Sequence, residues 1–290
     1  MDLSPPASSP NAPAIDPTVD RARLRSFDWR REGLTSALVP TMGALHEGHL
    51  GLVKAAAALA DKVVVSIFVN PTQFAPTEDF SAYPRDHEGD LAKLGALGVD
   101  SVFMPSTEEM YPQGFATTIS LAGPALGLET DFRPTHFQGV ATVVSKLLLA
   151  TQPDIAIFGE KDYQQLMVIR RMVTDLGIPV RIEGLPTVRE PDGLALSSRN
   201  AYLSEAERAT APLLHATLRA TAGALLEGAE PAAALAKARD TLSASGFAVD
   251  YVELRNADTL APVIDPGTEP LRLLAAATLG RTRLIDNIPV

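Results

Sequence analysis

Short apolar runs alternate with helical stretches along most of this chain. SALVPTM (36–42) and KVVVSIFVN (62–70) are continuously apolar or β-branched, the pattern of strands buried on both faces. Between them, the Ala-rich HLGLVKAAAALA (49–60) predicts a helix. The alternation continues with a helix in DLAKLGALGV (90–99), a strand in SVFMP (101–105) and an amphipathic helix in FQGVATVVSKLLLATQ (137–152). DIAIFGE (154–160) predicts a strand, and DYQQLMVIRRMVTDLG a helix that stops at Gly177 with Pro179 beyond it. PVRIEGLPTV (179–188) closes the series as a strand. Strands alternating with helices predict a parallel sheet covered on both faces, here a Rossmann-like α/β domain over residues 20–188.

The pattern changes at Arg189. REPDGLALSSRN (189–200) is turn-rich and reads as a hinge. Beyond it, helices over Ser204–Glu227 and Pro231–Ala244 precede the apolar strands VDYVEL, LRLLAAATL and TRLIDNIPV. Helices first and strands later predict a smaller α+β domain over 189–290, closing as a lid. At the other end, residues 1–19 are rich in Pro, Ser and Ala and read as a disordered leader. The leader lacks the basic start and apolar stretch of a signal peptide, and no apolar run approaches the ~20 residues that span a bilayer. A soluble, cytoplasmic protein with no membrane partner is expected.

Charge and composition narrow the chemistry. Lys and Arg number 25 against 35 Asp and Glu, a net charge of −10 that disfavours a nucleic-acid partner. There are no cysteines, so disulfides, thiolate nucleophiles and Cys-ligated zinc are excluded. Histidine is scarce, yet two of the five fall within four residues, at His46 and His49.

In a parallel sheet, ligands gather where strands end and helices begin. The first such end offers Met42, Gly43, Ala44, Leu45, His46, Glu47, Gly48 and His49; the second offers Asn70-Pro71-Thr72-Gln73. A third delivers Gly159, Glu160, Lys161 and Asp162, and the turn-rich segment brings Leu196, Ser197, Ser198 and Arg199. Imidazoles, cations, hydroxyls and glycines together suit a polyphosphate. Gly43 and Gly48 allow close backbone approach, and the helix that follows aims free N–H groups at an anion. Lys161 and Arg199 can neutralise phosphate oxygens as charge builds in a displacement. The Walker pattern G-x-x-x-x-G-K-[ST] is absent.

HEGH at 46–49, following a strand, resembles the HIGH signature of nucleotidyl-transferring α/β proteins, and SSR at 197–199 resembles a variant of their KMSKS loop. The fuller set, PTMGALHEGHL with FVNPTQF, FGEKDYQQ and LSSRN, is similar to the pantothenate synthetase (pantoate–β-alanine ligase) family in order and approximate spacing. One departure is Leu196, where the family usually carries methionine. The resemblance implies ATP-dependent condensation of (R)-pantoate with β-alanine through a pantoyl adenylate, giving pantothenate, AMP and pyrophosphate. It implies that Met42 to His49, Gly159 to Asp162, Val188 and Leu196 to Arg199 bind ATP. His46, His49, Lys161, Ser197, Ser198 and Arg199 would take part in the chemistry, with His49 as proton donor, and Gln73 and Gln165 would hold pantoate. Mg²⁺ is expected with ATP, Asp90 being its candidate protein ligand, and a homodimer through the N-terminal domain is expected as well.

Plainer readings stand beside these. His46 and His49 could pair on a metal or cap a helix, Lys161 could be a solvated helix start, and Ser197-Ser198 a simple turn. His87, His136 and His215 carry no assigned role, and the sequence does not decide whether Asp131 and Arg133 lie near the site. An adenylyltransferase that leaves AMP on its product and an RNA-binding synthetase-like module are the rival functions. The −10 charge speaks against the second, and FVNPTQF with the two glutamines favours the ligase over the first.

Overall fold

The computed structural model of the chain describes residues 12–74 and 83–290. Its first half runs β1 (Ala14–Asp16), α1 (Val19–Arg31), β2 (Ser36–Thr41), α2 (Glu47–Leu59), β3 (Lys62–Ile67), α3 (His87–Ala96), β4 (Ser101–Phe103) and α4 (Thr107–Met110). Then come α5 (Glu129–Phe132), α6 (His136–Thr151), β5 (Ile155–Gly159), α7 (Tyr163–Leu176) and β6 (Arg181–Leu185). The last part is α8 (Glu205–Thr210), α9 (Leu213–Leu226), α10 (Pro231–Ala244), β7 (Phe247–Asn256), β8 (Leu271–Leu279) and β9 (Thr282–Pro289).

The first six strands form one sheet in the order β1-β4-β3-β2-β5-β6, and β7-β8-β9 form a second. The pairs β1–β4, β4–β3, β3–β2 and β2–β5 are parallel; the second sheet is antiparallel. The apolar runs of β2 and β3 are explained by burial on both faces, with Leu38, Val39 and Val65 fully enclosed. Strand order reverses between β2 and β5, so the carboxyl end of β2 opens a switch point of the kind where ligands bind. The β2–β5 ladder pairs only Ala37 and Leu38, and Pro40 therefore interrupts no further bond on that side. Among the described residues, no helix is long and apolar enough to cross a membrane.

Residues 1–11 of the expected leader lie outside the described residues, but its later part is folded. Ala14–Asp16 pairs in parallel with Ser101–Phe103 as an edge strand, and Thr18 caps α1. The buried Asp16 carboxylate takes both prongs of Arg25, at 2.6 and 2.9 Å, and a hydrogen bond from the Ser101 hydroxyl. The leader reading fails from residue 14 onward because three residues suffice to complete a sheet edge, too few to show a period. Asp16→Asn is expected to lower stability by about 1–2 kcal/mol in a urea titration, below the cost of about 3–5 kcal/mol for breaking a fully buried pair because Arg25 keeps 25% of its side chain exposed and can recover water.

The division of the chain also differs from a cut at 188/189. Two compact units are present: Met1–Thr118, Thr142–Phe158 and Gly177–Glu183 in the first, Ile119–Ala141, Gly159–Leu176 and Gly184–Val290 in the second. Gly184–Val290 stays whole, so no boundary falls in 189–200. That stretch is a closed hairpin instead of a loose hinge: Arg189 bridges Ala195, and the Glu190 and Leu196 amides bond to Leu194 O (2.8 Å) and Val188 O (3.0 Å). Arg208 ties it to α8 through Glu190 and Asp192. The long helix expected over Ser204–Glu227 breaks at Ala211-Pro212, where proline cannot continue a helical ladder. The second unit's core joins Leu214 and Leu218 of α9 and Leu242 of α10 to Val252, Leu273 and Leu284 of the antiparallel sheet.

Candidate active site

In the first unit the turn after β2 is built around two demands. Gly43 has φ +84°, and a Cβ there would lie 3.1 Å from Asp90 Oδ2 and 3.2 Å from the Ile67 side chain. Glycine is thus required by conformation and by space. Ala44 follows at φ 51°, a conformation that needs outside support. Asp90, on α3, supplies it: its two carboxylate oxygens accept from the Ala44 and Leu45 amides, both at 2.8 Å. Lys93 of the same helix donates to Leu45 O at 2.8 Å.

This corrects the expectation that Asp90 ligates magnesium. Its side chain is 0% exposed and both oxygens are engaged by backbone N–H groups. Among the described residues, no group of three His, Asp or Glu side chains could hold a metal. The described residues do not form a protein-made Mg²⁺ cage.

Both histidines cap α2. His46 is the N-cap, its Nδ1 accepting from Gly48 N at 3.1 Å, and His49 Nδ1 faces the His46 amide at 3.4 Å. Their rings lie 4.1 Å apart. The capping reading and the chemical one are compatible, since an Nδ1 that accepts from backbone leaves the neutral ring's proton on Nε2. Glu47 is exposed and Gly48 half-buried at the head of the helix.

Gln73 ends a short 3₁₀ turn, Pro71–Gln73, that Asn70 caps. Gln73 donates to Met42 Sδ at 3.0 Å and accepts from Asn70 Nδ2 at 3.2 Å, which ties it to the turn after β2. The buried Asn70 also accepts from the Tyr111 hydroxyl at 2.7 Å.

The second unit holds the other set. Gly159 to Asp162 continue from β5, with Lys161 3.8 Å from Asp162 and 22% of its side chain exposed. Gln165 is half-buried on α7. Its neighbour Gln164 is buried and purely structural, accepting from Glu129 N and donating to Pro124 O and Gly127 O at 3.0 to 3.1 Å. Val188 and Leu196 pair across the hairpin, and Ser197 Oγ caps the following 3₁₀ turn through Arg199 N at 3.2 Å. Lys161, Ser197 and Arg199 line one small, solvent-open cleft together with His215, Arg283 and Asp286.

Asp286 is buried in the wall of that cleft. Arg189 grips it with two bonds of 2.7 and 2.8 Å, and His215 Nδ1 stands 3.3 Å away. Burial pushes the carboxyl up, but His215 and Arg189 outweigh it and hold its pKa below the ordinary value. A depressed carboxylate stabilises the fold fully above its unfolded pKa, near 3.9, and this contribution vanishes as pH falls through the lower folded value. Asp286→Asn is therefore expected to flatten the loss of stability below about pH 4, read from urea titrations across pH. An unchanged acid slope would refute the coupling.

A model described as pantoate-beta-alanine ligase matches residues 16–289. A pantothenate synthetase of Rhodopseudomonas palustris is 54% identical over 97% of this chain and 100% of its own length. One from Paramagnetospirillum magneticum is 58% identical over 94% and 96%. The chain belongs to the pantoate–β-alanine ligase family. It is an enzyme, a ligase of pantothenate biosynthesis. The crystal structure of a pantothenate synthetase from Thermus thermophilus superposes with a TM-score of 0.86 at 48% identity, covering 95% of this chain and 98% of that one. A pantoate–β-alanine ligase from Francisella tularensis, solved as a complex with "Beta-gamma ATP" and β-alanine, gives 0.81 at 35% identity over 96% and 98%.

Several residues around this ligase's motifs escaped the sequence reading. Asn287 donates from Nδ2 to the Glu160 and Lys161 carbonyls, both at 2.9 Å. Arg272 reaches Asn287 Oδ1 at 2.7 Å and Glu160 at 3.1 Å, and lies over the Tyr163 ring at 4.0 Å. The available signal was the polar pair Asp286-Asn287 set between Leu284-Ile285 and Ile288 in the final strand. Asp90 is named from the sequence, but as a metal ligand and not as the anchor of the turn after β2. Arg133 and His136 approach one another at 3.4 Å in the second unit and receive no role.

Proposed function

We propose that this ligase works through a pantoyl adenylate, with ATP, pantoate and β-alanine as substrates. A pantoate carboxylate oxygen attacks the α-phosphorus of ATP. A new P–O bond forms there as the bond to the β-phosphate bridge breaks, and pyrophosphate leaves with its electron pair. The amine of β-alanine then attacks the activated carbonyl carbon. An amide forms, the C–O bond to AMP breaks, and the amine gives up a proton. The nucleophile of the first step is already ionised at neutral pH, so that step needs positioning and charge neutralisation instead of a general base. Imidazole N–H, Lys and Arg are the groups that such a step calls for.

The observation that carries the reading is the double histidine cap. With Nδ1 of His46 and His49 turned to the backbone, each neutral ring is a donor at Nε2, the atom suited to phosphate oxygens and, for His49, to the departing charge. Lys161, Ser197, Ser198 and Arg199 serve the phosphates from the second unit. Met42 to Leu45, Glu47, Gly48, Gly159, Glu160, Asp162, Val188 and Leu196 shape the nucleotide's surroundings. Gln73 and Gln165 hydrogen-bond pantoate. Mg²⁺ would accompany ATP on phosphate and water ligands, which that ion commonly keeps. A homodimer and a cytoplasmic location complete the proposal; sedimentation would test the first and fractionation the second.

The first half-reaction is complete and reversible without the amine. Labelled pyrophosphate should therefore exchange into ATP when pantoate and Mg²⁺ are present and β-alanine is absent. Adding β-alanine should release free AMP, not ADP or an AMP-bearing product. Exchange that ignores pantoate, or ADP among the products, would sink the mechanism.

A further inference from the structure

We propose that the adjacent residues Asp286 and Asn287 are positioning residues, each holding one of the two cation-bearing segments of the second unit. This rests on the reading of Lys161 and Arg199 as charge-neutralising groups and adds what places them. Neighbouring side chains on a strand point to opposite sides, so two successive polar residues on β9 can serve two segments.

Asn287 serves the Glu160–Lys161 segment. Its amide has two N–H groups, and one goes to each of the carbonyls at 160 and 161 at 2.9 Å. Its oxygen takes Arg272 Nε at 2.7 Å, which fixes the amide's orientation. Arg272 is itself held by the Tyr163 ring and by Glu160. Asn287 and Arg272 are 3% and 8% exposed, so water cannot replace either contact cheaply. The peptides on both sides of the Lys161 Cα atom are thereby pinned from the sheet.

Asp286 serves the Ser197–Arg199 segment. It binds Arg189 in a fork, and the same guanidinium donates to Gly193 O at 3.0 Å, closing the hairpin that leads into Leu196 to Arg199. His215 fills the other side: a Cβ on Gly193, at φ +94°, would come within 2.9 Å of its ring. The fork has an electrostatic consequence too. A bare carboxylate in the cleft wall would repel phosphate, and Arg189 neutralises it there.

The test is pantoate-dependent pyrophosphate exchange in a double-mutant design. Asn287→Asp keeps the shape and the acceptor for Arg272 but cannot donate to the two carbonyls. It should lower kcat at least tenfold while the KM for pantoate stays within about twofold. In a Lys161→Ala background the same change should cost less than threefold, and in an Arg199→Ala background it should keep its full tenfold effect. Asp286→Asn should show the mirror pattern, silent on Arg199→Ala and fully expressed on Lys161→Ala. Should Asn287→Asp not fold, Arg272→Lys, which retains a charge opposite Glu160 but loses the Nε–H bond to Asn287 Oδ1, takes its place. Equal losses in both backgrounds would mean general support of the fold and overturn the assignment. Full activity of Lys161→Ala and Arg199→Ala themselves would instead overturn the reading of the two cations, which is a separable result.

Discussion

Lys161→Ala and Arg199→Ala will each lower the rate of pantoate-dependent pyrophosphate exchange about a hundredfold, with little change in melting temperature. The magnitude follows from removing one preorganised charge aimed at a transition state, about 3 kcal/mol. Loss of a ground-state ion pair would give much less. Among the described residues Lys161 makes a single ion pair, at 3.8 Å to an Asp162 that is half exposed, and such pairs contribute about 0–1 kcal/mol to stability. Arg199 is an exposed residue of a short 3₁₀ turn whose cap is Ser197 Oγ and its own amide, contacts that alanine preserves. Activity and stability should therefore separate cleanly in both variants. Stopped exchange with a parallel fall in melting temperature would show that the residue holds the fold and does not act on phosphate.

That prediction concerns residues legible in the sequence, and the reason is physical. A doubly covered parallel sheet writes itself as unbroken apolar runs, so β2, β3 and β5 are visible, and whatever follows their carboxyl ends becomes a short catalogue of polar residues. His46, Lys161 and Gln73 were found in this way. Helix α1 was not, because VDRARLRSFDWRR buries little beyond Ala22 and Ser26 and shows no apolar stripe. Nor was β1, whose three residues pair only through a crossover to β4. Partition into units was hidden for a related reason. Glu129, for example, is held by Tyr251 at 2.9 Å and Arg283 at 2.7 Å, from positions 122 and 154 residues further along. Contacts at such separation leave no local period. The same holds for Asp286 and Asn287, whose partners lie near 189 and 160.

The Asp90 carboxylate offers the sharpest contrast between the two readings of one residue. Asp90→Asn is expected to lower stability by about 3 kcal/mol and to depress exchange activity with it. The substituted amide keeps one acceptor for Ala44 or Leu45, but it turns an N–H₂ donor toward the other backbone N–H, and Asp90 is fully enclosed. The backbone N–H and the new amide donor are then both buried and unsatisfied, each at a cost of about 1–3 kcal/mol. Lys93, 3.8 Å away, loses its counter-charge, although 41% exposure of its side chain lets water take over much of that role. Ala44, at φ 51°, is freed from the bond that holds it in the left-handed region, and the strain falls on the turn that leads to the His46 cap. Activity should fall because the His46–His49 pair is displaced, and raising Mg²⁺ should not restore it. A metal ligand would behave in the opposite way: stability nearly unchanged, and activity recovered as Mg²⁺ is increased. Melting curves and exchange rates across a Mg²⁺ series distinguish the two, and recovery with magnesium would return Asp90 to the metal.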